Sequence, residues 1–145
     1  MLPSLLVKLL SFQTKRFRWK THSKTLAGVP DQDVEEEREE AVVVFVHAEA
    51  TDGEESRRAS ILRQSLKHVK WLANKGNLRN VVLHSFTHLG GQTAPPGAAE
   101  AFLDALARRL RETGYEVAVT PFGYFCEWDL SVYGESLAKV WKEIH

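Results

Sequence analysis

Polar side chains cluster where a short apolar strand gives way to a loop. The segment HSFTHL, residues 84–89, places Ser85, Thr87 and His88 after the strand and before an amphipathic helix. In sheets built from strand–helix units, the carboxyl ends of the strands open into crevices where ligands bind. The segment therefore predicts a polar binding pocket at this strand end.

The residues near this pocket do not match a metal site or a serine hydrolase. His47 and His84 also lie near predicted strand ends, but the sequence has neither a paired H-x-E and C-x-x-C nor an H-E-x-x-H helix. Ser85 lacks the G-x-S-x-G turn and an evident carboxylate that would orient a histidine. We expect no metal and no catalytic triad.

A nucleotide cofactor and a reactive thiol are also poorly supported. Gly90 and Gly91 lie between a strand and a helix, but neither G-x-G-x-x-G nor G-x-x-x-x-G-K-[ST] is present. Cys126 lies within the apolar segment YFCEW, which favours a buried and inert thiol. We therefore expect no cofactor.

Composition limits the size and class of the protein. A chain of 145 residues with 43% hydrophobic content suits one domain, spanning residues 1–145. Its 19 basic and 19 acidic residues cancel, so attraction to a polyanion requires local patches. One cysteine excludes an internal disulfide, and the opening MLPSLLVKLL is too short to span a membrane. We expect a cytoplasmic protein with no membrane partner.

The start of the chain predicts β-structure. Residues 4–12 and 15–22 are expected to form two strands joined at 13–14. The second strand, KRFRWKTH, alternates basic with largely apolar residues, so one face is basic. Phe17 and Trp19 then face either the core or a bound nucleic acid.

The rest of the chain predicts alternating strands and helices. The acidic run 31–40 is expected to be a solvated loop or a helix end, because blocks of like charge favour solvent. The order ββ-β-α-β-α-β-β-α predicts an α/β or α+β sheet with its helices largely on one side. Its further elements are a strand at 41–49, a helix at 54–74, a strand beginning at Val81, a helix at 97–113, two strands within 115–130 and a final helix at 135–144.

Two motifs carry a resemblance to a known family. HSFTHL (84–89) is followed by TPFGYF (120–125), with an amphipathic helix ending in RETGYEV between them. This pair resembles the editing domain at the N-terminus of archaeal threonyl-tRNA synthetases, and the resemblance covers essentially the whole chain. It implies the fold of D-aminoacyl-tRNA deacylases, a homodimer, and a proofreading hydrolase that removes L-serine from threonine tRNA.

The resemblance also implies which residues act. Strand-end groups would hold the seryl 3′ end of the tRNA and a water, assisted by the terminal 2′-hydroxyl. His88 is the candidate that orients the substrate. Lys139 is the candidate that restores a cation, because Cys126 stands where the family commonly has a lysine. The implied binding residues are Val46, His47, Ser85, Phe86, Thr87, His88, Pro121, Phe122, Gly123, Tyr124 and Phe125.

Two other functions remain open from the sequence. The first is a D-aminoacyl-tRNA deacylase, although the Gly-Pro dipeptide of that family has no match here, since Val29 follows Gly28. The second is a catalytically silent tRNA-binding module that uses KRFRWKTH. The sequence also leaves open whether the chain is part of a longer synthetase, which would then be its partner.

Overall fold

The computed structural model describes residues 4–51, 56–87, 89 and 94–145. In these ranges six strands, two α-helices and one 3-10 turn follow one another along the chain. They are β1 (Ser4–Lys24), β2 (Glu35–Thr51), α1 (Ser56–Lys75), β3 (Asn80–Ser85), α2 (Pro96–Glu112), β4 (Glu116–Val119), β5 (Tyr124–Val132), the turn Ser136–Ala138 and β6 (Lys139–Ile144).

The strands form one mixed sheet in the order β4-β3-β2-β1-β5, with β6 also pairing with β1. Strands β2, β3 and β4 are parallel, whereas β1 runs antiparallel to β2, β5 and β6. Because β1 is 21 residues long, β6 pairs with its first half and β5 with its second half. The predicted α+β sheet is confirmed.

Both helices cover one face of this sheet, as predicted. Apolar residues at helical spacing, such as Ile61 in α1 and Leu106 in α2, are fully buried against Val44 of β2 and Leu83 of β3. The predicted helix limits differ from the observed ones by only one or two residues. In the described ranges, no helix is long and apolar enough to cross a membrane.

The face of the sheet opposite the helices, called the second face below, is covered by another part of the same sheet. Trp128 of β5 lies opposite Trp19 of β1, and Trp19 in turn lies opposite Glu36 of β2. Glu36 precedes Phe45 by nine residues along β2. A flat strand would separate Glu36 from Phe45 by about 30 Å, at about 3.3 Å per residue. The Trp128 and Phe45 rings are nevertheless 4.8 Å apart. The distal part of β1, β2 and β5 must therefore fold back over the sheet.

The fold-back explains why the predicted hairpin at 13–14 is wrong. β1 continues through these residues without reversing, and Gln13 Nε2 donates to the Leu72 carbonyl at 2.9 Å while Thr14 Oγ1 donates to the Ala41 carbonyl at 2.8 Å. The pairing with β5 shifts register between Thr14 and Arg16, and Glu40 on β2 has φ of 48°. These features mark a bulge, which bends a strand without ending it.

The predicted loop or helix end at 31–40 is also wrong for residues 35–40, which form the first part of β2. Two of their carboxylates form ion pairs with the basic face of β1, where Arg16 pairs with Glu37 at 2.9 Å and Arg18 pairs with Glu35. Opposite charges on neighbouring strands stabilise the pairing, whereas the acidic run alone would repel itself. The run remains exposed but is extended.

The predicted final helix at 135–144 is replaced by the turn Ser136–Ala138 and β6. Lys139, expected on that helix, begins β6 opposite Phe12 of β1. The first half of β1 would otherwise present unpaired backbone groups at the sheet edge. Pairing with that edge outweighs the weak helical pattern of a short segment.

The alternative left open for Phe17 and Trp19 is settled in favour of the core. Both side chains are fully buried on the second face, and their rings stack at 5.6 Å. They pack with Phe45 and Val82 beneath the fold-back. The basic side chains of KRFRWKTH point away from them, so this strand does not present a stacking platform of aromatic and basic groups.

Candidate active site

A cavity of about 390 Å³ opens at the carboxyl ends of β3 and β4, beside the start of α2 and β5. It joins the two motifs that the sequence analysis singled out, although they are more than 30 residues apart. The predicted residues that line it are Ser85, Phe86, Thr87, Pro121, Phe122, Gly123, Tyr124 and Phe125.

Parallel pairing is what brings the motifs together. Leu83 of β3 lies opposite Val119 of β4, so both strands leave the sheet at the same edge. Two backbone hydrogen bonds extend the pairing into the motifs, because Thr120 N donates to Leu83 O at 3.0 Å and Phe86 N donates to Val46 O at 2.9 Å. The cavity walls are thus continuations of the sheet.

Two predicted binding residues on β2 lie outside the cavity lining. Val46 is buried in the core under the helices, and its carbonyl is occupied by Phe86. His47 is fully buried, and its Nε2 lies 3.2 Å from Glu49 Oε1, which also accepts from Lys8 Nζ at 3.2 Å. These residues support the floor of the site rather than face its space.

The two predicted side-chain candidates have different outcomes. His88 lies outside the described residues. Lys139 is exposed on β6, where its Nζ donates to the Tyr133 carbonyl at 3.5 Å. It pairs with Phe12, which lies opposite Val43 at the middle of β2, whereas the cavity lies at the carboxyl ends of β3 and β4. Lys139 therefore does not line the cavity.

His84 is the residue that the sequence analysis undervalued. It lines the cavity at the end of β3, and its Nδ1 lies 2.7 Å from Thr120 Oγ1. Burial lowers the pKa of His84 to about 4, so the imidazole is neutral at pH 7. The sequence did contain one indication that His84 belongs to the site. His84 is the first residue of HSFTHL and lies two residues before Phe86, so both side chains are on the same face of the strand.

Aromatic rings form one wall of the cavity. Trp128 contacts His84 edge-on at 5.2 Å and lies 5.8 Å from Phe86, measured between ring centroids. Phe125, at the mouth, keeps 54% of its surface exposed. The sequence analysis did not assign Trp128 to the site, because only the fold-back of β5 brings it there.

The TPFGYF turn is held in one shape. Gly123 has φ of 82°, and an added Cβ would lie 2.7 Å from Val29 Cγ1, so glycine is required there. Tyr124 Oη donates to the Pro30 carbonyl at 2.6 Å and accepts from Gln32 N at 2.9 Å. The turn and the loop after β1 therefore fix each other at the rim.

Cys126 also lines the cavity but is not activated. Its side chain is half-buried, and burial raises the pKa of the thiol above its ordinary value. The nucleophile would be the thiolate, which is a minor form at pH 7. Across the described ranges, no three His, Cys, Asp or Glu side chains converge to hold a metal ion.

The lining has a distinctive chemistry. Among its described residues there is no Lys, Arg, Asp or Glu, and the polar groups are hydroxyls, the neutral His84 and backbone amides. In the same part of the chain, the N–H groups of Thr87 and Phe122 donate no hydrogen bond to another backbone group. Without a lysine or arginine, this lining offers no counter-ion to a free carboxylate.

Comparison with solved structures identifies the fold. A probable eukaryotic D-amino acid tRNA deacylase superposes with a TM-score of 0.65 at 12% identity, covering 96% of this chain and 100% of that one. A c-Myc DNA unwinding element binding protein superposes with a TM-score of 0.59 at 13% identity, covering 95% and 97%. The chain therefore has the deacylase fold that the resemblance implied.

Sequence comparison identifies archaeal relatives. The threonine–tRNA ligase of Methanosphaerula palustris is 31% identical over 95% of this chain and 22% of its own length. That of Thermococcus kodakarensis is 30% identical over 73% of this chain and 17% of its own length. The chain spans about a fifth of the length of these relatives. Residues 7–144 match the archaea-specific editing domain of threonyl-tRNA synthetase, and the chain belongs to that family.

Proposed function

We propose that this chain is a proofreading hydrolase that removes L-serine from threonine tRNA and spares L-threonine. The observation that carries the proposal is the uncharged cavity built jointly by HSFTHL and TPFGYF. Membership of the editing-domain family and the deacylase fold support an aminoacyl-tRNA hydrolase in general. The cavity chemistry supports an esterified small amino acid as the group that is bound.

The proposed selectivity depends on a single methyl group. Threonine differs from serine by one methyl, and a binding pocket discriminates such a difference by only about 1–3 kcal/mol. A second site that excludes the larger side chain adds to that discrimination. Phe122 and Tyr124 flank the Gly123 turn, and Tyr124 is hydrogen-bonded to the Pro30 carbonyl. These two walls therefore resist the movement that would admit the methyl group.

The proposed chemistry uses few side chains. A water attacks the ester carbonyl carbon, the bond to the ribose oxygen breaks, and serine and a free 3′-hydroxyl leave. In this proposal the N–H groups of two lining residues, Thr87 and Phe122, stabilise the developing oxyanion, as backbone donors do in acyl transfer. The terminal 2′-hydroxyl of the tRNA positions the water.

His84 has a positioning role in this scheme. A neutral imidazole anchored by Thr120 can hydrogen-bond to the substrate or the water without holding a charge in an apolar cavity. His88 remains a proposed substrate-orienting residue. Lys139 has no proposed part in the reaction, because it does not line the cavity.

The proposed partners follow from the reaction. The substrate is the seryl 3′ end of threonine tRNA, and the remainder of a threonyl-tRNA synthetase is a partner, since the relatives are about five times longer. We also propose a homodimer in the cytoplasm. The dimer is inferred from the resemblance to deacylases.

The experiment that tests the function compares two esters on one tRNA. L-seryl and L-threonyl groups are charged on threonine tRNA, and release is followed under single-turnover conditions. We expect serine to be released at least about tenfold faster, from the size exclusion of one methyl. D-seryl-tRNA is the comparison substrate. Equal rates on the two L-esters, or faster release of the D-ester, would refute the proposal.

A second prediction concerns the source of the chemistry. A seryl-tRNA that ends in 2′-deoxyadenosine should be hydrolysed at least about 10²-fold more slowly, since a lost catalytic group costs about that much. Cys126→Ser should leave the rate nearly unchanged, because the thiol is protonated. The opposite pattern, with a fast 2′-deoxy substrate and an inactive Cys126→Ser, would identify a thiol nucleophile instead.

A third prediction concerns His84. His84→Ala should lower the rate at least about tenfold through misplacement of the substrate, while Thr120→Val should give a smaller loss by freeing the ring. The titration of His84 should not change the hydrolysis rate between pH 8 and about pH 5, because the pKa of His84 is about 4. Loss of rate that begins near pH 6.5 and disappears in His84→Gln would contradict this.

The same pKa predicts a dependence of stability on pH. The folded pKa is about 4 and the unfolded value is 6.5, so the unfolded state binds more protons between these values. The free energy of unfolding is therefore not reduced by His84 above pH 6.5, and it decreases as the pH falls from 6.5 to about 4. Urea unfolding should show a decrease of about 3 kcal/mol that is absent in His84→Gln.

A further inference from the structure

Charge is unevenly distributed along this neutral chain. Residues 56–99 contain seven Lys or Arg residues and no Asp or Glu, whereas residues 31–40 contain seven acidic residues. Six of the seven basic residues are on α1. Glu55, the nearest acidic residue before this stretch in the sequence, precedes Lys67 by 12 residues.

A groove of about 520 Å³ runs between α1 and β6 within this basic region. Helix residues at positions i, i+3, i+4 and i+7 form one side, and alternate residues of β6 form the other. Its described lining residues are Gln64, Lys67, His68, Trp71, Val140 and Lys142. None of them is acidic, and none lines the cavity at the strand ends.

An exposed aromatic ring lines the groove together with the two lysines. Trp71 keeps 41% of its surface exposed, and its ring is stacked on His68 at 5.9 Å with an interplanar angle of 29°. His68 is half-buried, and burial and the charge of Lys142 lower its pKa, so it adds no charge at pH 7. Lys67 and Lys142 are exposed, and in the described ranges neither forms an ion pair.

Positive charges beside an exposed aromatic ring are the pattern with which proteins bind single-stranded nucleic acid. Ammonium groups neutralise phosphates and release counterions, while an aromatic face stacks on a base. We propose that the groove between α1 and β6 binds an RNA strand, with Lys67 and Lys142 at phosphates and Trp71 against a base. Identification of that RNA as the tRNA substrate rests on the proposed function.

Charge complementarity selects RNA over other occupants. A purely apolar partner would leave Lys67 and Lys142 unpaired in the interface, at a cost in desolvation. In the acidic run 35–40 of a second copy, Glu37 and Glu35 are already paired with Arg16 and Arg18 of their own chain. A phosphate backbone supplies the opposite charge and, through its bases, a partner for the ring.

The test measures binding of uncharged tRNA to the full chain by fluorescence anisotropy at several salt concentrations. Lys67→Gln and Lys142→Gln should each weaken binding several-fold and reduce the slope of log K against log salt by about 0.7–1. Trp71→Ala should weaken binding at least about fivefold. Lys15→Gln, which removes one exposed lysine on β1, is the matched control and should match the unaltered chain.

The binding assay and the hydrolysis assay test the groove and the proposed reaction separately. Uncharged tRNA has no ester, so binding is measured whether or not the chain hydrolyses one. In the hydrolysis assay the groove variants should raise KM for seryl-tRNA and leave kcat unchanged. Groove variants that bind tRNA as well as Lys15→Gln would overturn the proposal. Loss of self-association in these variants, measured by light scattering with tRNA binding intact, would also overturn it.

Discussion

The bend in the long β1–β2 pair is the constraint on which the site depends. It turns the distal strands over the second face of the sheet, which buries Phe17 and Trp19 and sets Trp128 against Phe45 at 4.8 Å. Without it, β5 would lie far from the carboxyl ends of β3 and β4, and the cavity would have no aromatic wall. The bulge beside Thr14 thus links a backbone irregularity to the shape of a binding site.

The described lining of the cavity carries no acidic or basic side chain apart from the neutral His84. An apolar enclosure makes any ionised side chain costly, and His84 responds by remaining neutral beside Thr120. Catalysis in an uncharged cavity depends on backbone N–H groups, on hydroxyl groups and on polar groups of the substrate. This agrees with the proposed reaction, in which a hydroxyl of the tRNA positions the water and the protein supplies the shape of the site. Cationic groups lie elsewhere, on α1 and in its groove with β6.

Local patterns predicted the parts of the fold that local forces determine. The two helices follow from apolar spacing, and the meeting of the two motifs follows from parallel strands that end at one edge. The bend, the extended acidic run and β6 depend on pairing between distant residues, which periodicity does not report. His84 was undervalued because its contact with Thr120 requires β3 and β4 to be neighbours, and Trp128 was missed because only the fold-back brings it to the cavity.

The central claim is that the cavity at the carboxyl ends of β3 and β4 holds the serine ester. A direct measurement uses serine joined through a stable amide to 3′-amino-3′-deoxyadenosine, titrated into the chain and followed by amide chemical shifts. We expect the largest changes at Thr87, Phe122 and Phe125, with the threonine analogue binding more weakly. Changes confined to residues outside the cavity lining, or equal binding of the two analogues, would contradict it.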